Sequence, residues 1–461
     1  MLTMPTLSVL EHAAFVGAGL LVYVAATRAS AQRRHPSAAI AWVLAIATFP
    51  YLATPLFLLF GSRKFVRPAP TIHLAGAMPS AQVPDWAASL SLALNLPAPV
   101  GNATARLHAD GTQALTALLA LVTQAEHSLE VGTYLLGHDA VGREIADALA
   151  AAARRGVRTR LLLDWVGSLK TPRAQLRALR EAGVEVRRFM PLLHNPRQGR
   201  TNLRNHRKLV VADGAQVWSG GRNLADEYFL DRPGRSAWVD LSFVVEGPVA
   251  TQALAQFEHD WASASGRNEP IPSTGTGAPA AAGPVMAQWW PSGPDRADDT
   301  LHALLMAAAY HARARILAVT PYYVPDEALL EAWCMACRRG VRVSLLLPRR
   351  SNHGLADWAR ERALRRLVEC GAQVWLAERM VHAKAVIVDD ALALCGSANL
   401  DGRSLFLNYE VMTVFYGQPQ IDALVLWHAA QLVQATPYRA QRPAWWRDVA
   451  EGVVRAVGFQ L

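Results

Sequence analysis

Two short stretches hold the residues best suited to chemistry. His206, Lys208 and Asp213 form a His-x-Lys-x4-Asp pattern, and His382, Lys384 and Asp389 repeat it. Beyond each Asp lies a turn of small residues ending in asparagine. It reads Gly220-Gly221-Arg222-Asn223 in the first copy and Gly396-Ser397-Ala398-Asn399 in the second. The copies stand 176 residues apart at each of the His, Lys, Asp and Asn positions. A glutamate follows, Glu227 in one copy and Glu410 in the other. Only four of the 46 basic residues are lysine, and two of those four sit in these motifs. A lysine kept where arginine is the rule suggests a need for a compact point charge.

Such a set suits an anion with a reactive centre. Displacement at a phosphodiester builds charge on equatorial oxygens, which Lys208, Lys384, Asn223 and Asn399 would cradle. One imidazole can attack phosphorus and form a phospho-histidine, which splits one hard step into two. The other can protonate the leaving alkoxide and then deprotonate the acceptor. Glu227 and Glu410 are the candidates to hydrogen-bond the imidazoles and fix their tautomers. The apolar runs Leu209-Val210-Val211 and Ala385-Val386-Ile387-Val388 place each motif on a buried strand. Residues two apart share a strand face, so His206 sits with Lys208 and His382 with Lys384. Asp213 and Asp389 fall at odd spacing, so within the motif set they are expected to organise strand ends rather than touch substrate.

The elements that position these motifs are themselves repeated. Arg154-Arg155-Gly156-Val157-Arg158 precedes Leu161-Leu162-Leu163, and Arg338-Arg339-Gly340-Val341-Arg342 precedes Leu345-Leu346-Leu347. Each reads as a helix closed by glycine, then a buried strand. A second such unit follows at Gly183 and at Gly371. Alternating strands and helices indicate an α/β fold with a largely parallel sheet in each copy. The stretch from Ser263 to Pro284, rich in Gly, Pro, Ser, Thr and Ala, reads as a linker. The expected division is 1–68, 69–105 as a connecting segment, 106–265, 266–285 as the linker, and 286–461.

The N-terminal part is apolar. Leu7–Thr27 and Ala38–Phe60 are each long enough to span a hydrocarbon core of ~30 Å, so 1–68 is expected to be a two-helix transmembrane hairpin. Three arginines, Arg28, Arg33 and Arg34, lie between the spans, and Arg63, Lys64 and Arg67 follow them. Orientation is therefore not fixed by charge. Hydrophobic residues make up 52% and charged residues 18%, which excludes a disordered chain. Four cysteines exclude a disulfide scaffold. Cys334-x-x-Cys337 has no second pair at finger spacing and reads as small core residues. The net charge of +9 suits an anionic partner. Trp445-Trp446-Arg447 begins a C-terminal stretch suited equally to a lipid interface or to docking on the protein.

The double motif resembles that of the phospholipase D superfamily, and the chain is similar to bacterial cardiolipin synthases of the membrane-anchored type. The resemblance is carried by Arg204-Asn205-His206-Arg207-Lys208, by Thr320-Pro321-Tyr322-Tyr323-Val324-Pro325-Asp326, and by Gly396 through Ser404 with Asn408-Tyr409-Glu410. It extends to the second apolar segment, and departs from the usual pattern at Arg222 and at Leu136-Gly137-His138-Asp139. It implies two duplicated αβα domains packed with pseudo-two-fold symmetry behind a transmembrane hairpin. It implies that two phosphatidylglycerol molecules give cardiolipin and glycerol, without metal, nucleotide or other cofactor. His206 would be the nucleophile and His382 the acid/base, roles that the repeat allows to be exchanged. The partners would be phosphatidylglycerol, other anionic phospholipids and the membrane, with no nucleic acid, and the location a bacterial inner membrane crossed more than once. Phosphodiester exchange is nearly isoenergetic, and the chain has no Gly-x4-Gly-Lys-Ser/Thr loop. A hydrolytic phospholipase D, a transferase to another alcohol and a nuclease use the same chemistry. A non-catalytic membrane scaffold is the alternative outside it.

Overall fold

The computed structural model describes residues 9–29, 36–61, 82–191, 202–265, 283–447 and 451–452. Arg33, Arg34, Arg63, Lys64, Arg67, most of the 266–285 linker and the last nine residues lie outside them.

Two mixed sheets form the body of the protein. The first has seven strands in the order β2 (Thr104–His108), β8 (Ser242–Glu246), β7 (Gln216–Gly220), β6 (Leu209–Ala212), β3 (Ser128–Thr133), β4 (Arg158–Asp164) and β5 (Glu185–Phe189). The second has nine, in the order β1 (Val100–Asn102), β9 (Val285–Ser292), β17 (Glu410–Phe415), β15 (Leu392–Gly396), β14 (Ala385–Val388), β10 (Arg315–Val319), β12 (Arg342–Pro348), β13 (Gln373–Ala377) and β18 (Ala435–Pro437). β11 (Tyr323–Val324) and β16 (Leu400–Asp401) pair separately. In each large sheet three strands run parallel, β3-β4-β5 and β10-β12-β13, and the motif strand lies antiparallel beside the first of them. β1 pairs with β9, so the segment before the first sheet contributes a strand to the second.

Helices cover the sheets. They are α4 (Asp85–Ala93), α5 (Gly111–Gln124), α6 (Ala140–Arg154), α7 (Arg173–Glu181), α8 (Pro248–Ala264), α9 (Thr300–His311), α10 (Glu327–Arg338), α11 (Gly354–Glu369), α12 (Gly402–Phe406) and α13 (Gln418–Leu432). α6 and α10 end at Gly156 and Gly340, at φ +93° and +89°, a region that costs L-residues and not glycine. The leucine runs of β4 and β12 are buried throughout, as strands covered on both faces must be.

The two sheets share a core. One apolar cluster contains Leu209, Val211 and Phe243 from the first and Ala385, Ile387 and Phe415 from the second. Phe243 and Phe415 meet edge-on at 5.4 Å between ring centroids. Cys334 and Cys395 are buried, and all four cysteines are free.

The N-terminal region departs from expectation. α1 (Val9–Ala29) is one helix, but the second apolar segment is two, α2 (Pro36–Thr48) and α3 (Pro50–Phe60). The break falls where Pro50, which lacks an amide hydrogen, starts α3 at its first position. Among the described residues α1 alone is long and apolar enough to cross a membrane. The three helices pack around Tyr23, Ile46, Ala53 and Phe57. A side chain at Gly19 would come within 2.5 Å of Thr54 Oγ1, so the close approach of α1 depends on glycine there.

Asp213 and Asp389 stand at the far ends of the motif strands, roughly 20 Å of extended chain from the histidines. Asp213 accepts from the backbone amides of Glu126, His127 and Ser128 at 2.7–3.0 Å. Asp389 accepts from Arg313, Ala314 and Arg315 at 2.7–2.8 Å. Both hold positive φ, +53° and +50°. These amide bonds hold the Asp213 carboxyl below its usual range, although its partial burial opposes them. Replacing Asp389 by Ala is expected to lower the thermal midpoint by several degrees, a loss of about 2 kcal/mol from amides left unpaired. Turnover per folded molecule should be retained. An unchanged midpoint with lost turnover would contradict this assignment.

Candidate active site

The site forms where the entries to β6 and β14 meet, beside the C-terminal ends of β3, β4, β10 and β12. The His206 amide donates to the Tyr409 carbonyl at 2.9 Å, and the His382 amide donates to the Val239 carbonyl at 2.7 Å. Each motif is thus stitched to the strand entry of the opposite half. Matching parallel bridges join Asn205 to Tyr409 and Val239 to Val381.

The same exchange brings a carboxylate to each imidazole. Glu410 Oε1 lies 3.4 Å from His206 Nδ1. Asp240 Oδ2 lies 2.7 Å from His382 Nδ1. Both carboxylates are fully buried. Glu410 also accepts from Ser397 Oγ at 2.5 Å and Asn408 Nδ2 at 3.2 Å. Burial pushes the Glu410 carboxyl up, and His206, Lys208 and Ser397 together bring it below its usual range. Asp240 is likewise held low, by His382, Lys384 and Arg222 against its burial.

The histidines are held neutral. Burial lowers His206, with Glu410 opposing. With Nδ1–H turned to Glu410, its Nε2 carries a free lone pair. Burial first, and Lys384 second, pull His382 down to about 3. Lys384 Nζ stands over that ring, 2.9 Å from both of its nitrogens, and donates to the His382 carbonyl. Lys208 Nζ donates to the His206 carbonyl at 2.7 Å. Burial lowers Lys208 to about 8 and Lys384 to about 7, and both feel Asp240 and Glu410. The charges of the two halves therefore form a single electrostatic unit.

Aromatic rings wall the site. Tyr134 meets His206 at 4.4 Å, and Tyr228 and Trp238 meet His382 at 5.0 and 5.3 Å. Asn223 donates to the Tyr228 hydroxyl at 2.8 Å. Asn399 hydrogen-bonds Asp401, whose carboxyl burial raises to about 6. The Oδ1 atoms of Asn223, Asn399 and Asn408 are buried with no partner among the described residues. These oxygens can only accept, so an anion would be met by the Nδ2–H groups of Asn223 and Asn399 and by the lysines, not by them. Arg222, a departure in the sequence, is structural. It donates to the carbonyls of Tyr228, His108 and Ala109 and to Ser242 Oγ.

The structure corrects one residue. Glu227 does not meet an imidazole; it pairs with Arg235 at 2.5 Å on the surface. Proximity to Asn223 in sequence suggested it, but the three-residue helical turn at Asp226–Tyr228 carries it outward. Asp240 takes the place and was missed. Strand register would have found it. Gly220 pairs with Ser242 and Gly396 with Met412, and two residues before those partners stand Asp240 and Glu410.

Comparison with known proteins shows what the chain resembles. A family model described as "Cardiolipin synthase, PLD-like domain" matches residues 118–261 and 305–428. The chain is 36% identical over 315 residues to "Cardiolipin synthase A" of Citrobacter koseri, an alignment covering 67% of this chain and 65% of that protein. It is 31% identical over 420 residues to "Cardiolipin synthase" of Geobacillus kaustophilus, covering 86% and 83%. The chain thus spans slightly under two thirds of the first of these relatives. Its fold is similar to the crystal structure of phosphatidylserine synthase from Haemophilus influenzae, with a TM-score of 0.63 at 14% identity over 81% of this chain and 99% of that one. Polyphosphate kinase from Porphyromonas gingivalis gives a TM-score of 0.52 at 11% identity, over 78% and 54%.

If Asp240 rather than Glu227 orients His382, Asp240→Asn should lower turnover of a phosphodiester substrate roughly 100-fold, as loss of such a partner does elsewhere. Glu227→Gln should leave turnover within about twofold. The reverse order in steady-state kinetics would overturn the assignment.

Proposed function

Since this chain belongs to the cardiolipin synthase family of phospholipase D-like proteins, we propose that it moves a phosphatidyl group between two phosphatidylglycerol molecules, giving cardiolipin and glycerol. The observation that carries the reading is the reciprocal pairing, in which each half's imidazole is held by the other half's carboxylate. The likeness of strand order in the two sheets supports two phospholipase D-like domains, about 106–265 and 286–461, related by a pseudo-two-fold axis through the site.

In the first step His206 Nε2 attacks phosphorus. The bond from phosphorus to the headgroup oxygen breaks, and His382 delivers a proton to the departing glycerol alkoxide. In the second, His382 takes the proton from a hydroxyl of another phosphatidylglycerol. That oxygen attacks phosphorus, the nitrogen–phosphorus bond breaks, and cardiolipin leaves. Lys208, Lys384, Asn223 and Asn399 hold the phosphoryl oxygens, and Asp213 and Asp389 set the strands that carry the motifs. His382 must be protonated for the first step. An anion that neutralises Lys384 removes one cause of its low value and lets it take that proton. His206 is the better nucleophile, being the more exposed imidazole at 23% against 10%. Exclusion of water by the aromatic walls favours transfer over hydrolysis. We place α1 and the α2–α3 pair in the bacterial inner membrane as a hairpin, with the body at its surface.

The test is product analysis. The purified full chain in phosphatidylglycerol vesicles should release glycerol and cardiolipin in equal amounts. His206→Ala and His382→Ala should each abolish both. Phosphatidic acid as the main lipid product would point to hydrolysis, and plasmid cleavage to a nuclease.

The pH profile of kcat/KM should be bell-shaped. The nucleophile must be unprotonated, so the rate climbs as pH rises through the lowered pKa of His206. The lysines must be protonated to hold an anion, so the rate falls as pH rises past about 7 and about 8. Lys384→Arg should move the falling limb up from about 7 toward the value of about 8 set by Lys208; an unmoved limb would contradict this origin.

A further inference from the structure

A band of exposed aromatic and basic residues lies along α11, and neither the core nor the chemistry uses it. Leu355 and Trp358 open α11 on one face, 59% and 45% exposed. Glu361, Arg362 and Arg365 continue that stripe at helical spacing. The C-terminal segment docks against it. Arg365 donates to Glu451 at 2.6 Å and the Tyr438 hydroxyl to Glu361 at 2.9 Å. Docking still leaves Trp445 and Trp446 outside, 78% and 57% exposed. The stretch thus packs on the protein and presents two indoles outward.

The charge around this band is one-sided. Arg350, Arg362, Arg439 and Arg442 are exposed. Among the described residues the acids that touch it are engaged: Glu451 with Arg365 and Arg447, Glu361 with Tyr438, and Asp357 with the Ser351 amide and Arg360. Indoles beside arginines suit the boundary between headgroups and acyl chains, where the ring is half apolar and the cation meets lipid phosphate.

The band connects to the site. Tyr322 follows β10, whose end pairs with Ala385 beside Lys384. Its hydroxyl donates to Asn352 at 2.5 Å, and its ring meets His353 at 5.4 Å. Asn352 and His353 lead directly into α11. The start of α11 is therefore tied to the loop that leaves β10 at the site end of that strand.

We infer that the face formed by the start of α11 and the C-terminal Trp445-Trp446 segment inserts its indoles into the anionic lipid interface and holds the site mouth against the bilayer. The role for the mouth rests on the phosphatidyl-transfer reading; the insertion itself does not.

The test uses the full chain reconstituted in phosphatidylglycerol vesicles with brominated acyl chains, which quench indoles in contact with lipid. The W358F/W445F/W446F triple variant should lose a quenchable fraction of emission that the parent shows. Its KM on vesicles should rise about tenfold, while turnover of a short-chain phosphatidylglycerol below its micelle threshold stays unchanged. The quenching arm stands even if the transfer reading fails. Equal quenched emission in parent and variant would overturn the proposal. So would a change from dimer to monomer in detergent with unaltered quenching, which would assign the face to a second copy of the chain.

Discussion

The structure turns on two buried imidazole–carboxylate contacts that cross between halves. Four ionisable groups, Lys208, Lys384, Asp240 and Glu410, are withdrawn from water around the two imidazoles. Burying an ion costs several kcal/mol, which only close opposite charge and hydrogen bonds offset. The offset is available because strand entries from both halves meet there. Neither half alone would present a carboxylate to its own histidine, so the shared core and the shared site require each other.

Further buried charge holds this meeting in place. Arg207, between the motif His and Lys, pairs with Asp260 at 2.6 Å and Asp295 at 3.0 Å. Its Nε donates to the Glu410 carbonyl at 3.1 Å. On the other side of the motif, Asp164 accepts from the Asn205 amide at 2.9 Å and pairs with Arg204. α8, the turn after β9 and the end of β4 therefore all bear on where His206 points. Among the described residues the matching positions of the second half do not repeat this network: Pro348 stands where β4 has Asp164, and Met380 where the first motif has Arg204. The chemical asymmetry follows. His206 sits in a polar, tethered setting, and His382 between aromatic rings under a lysine.

Much of this was legible in the sequence because it was written twice. Repeated glycines ended the same helices, repeated leucine runs filled the same strands, and fixed spacing placed the His, Lys and Asn residues together. Two things were not legible. Asp240 carries no local mark, since its role comes from a strand pairing that links Gly220 to Ser242 across a long loop. Glu227 looked suitable through nearness in sequence, which says little once a turn intervenes. Nor does the apolar length of Ala38–Phe60 reveal the break at Pro50. Apolar length alone does not decide whether a proline kinks one helix or starts another.

The account is tested most directly by catching phosphorus on nitrogen. The His382→Ala protein, given a phosphatidyl ester with a nitrophenol leaving group, needs no acid for the first step and lacks the base for the second. The account expects a burst of one nitrophenol per site and a phosphoramidate on the peptide bearing His206. Linear release without a burst, or an adduct on another residue, would contradict it.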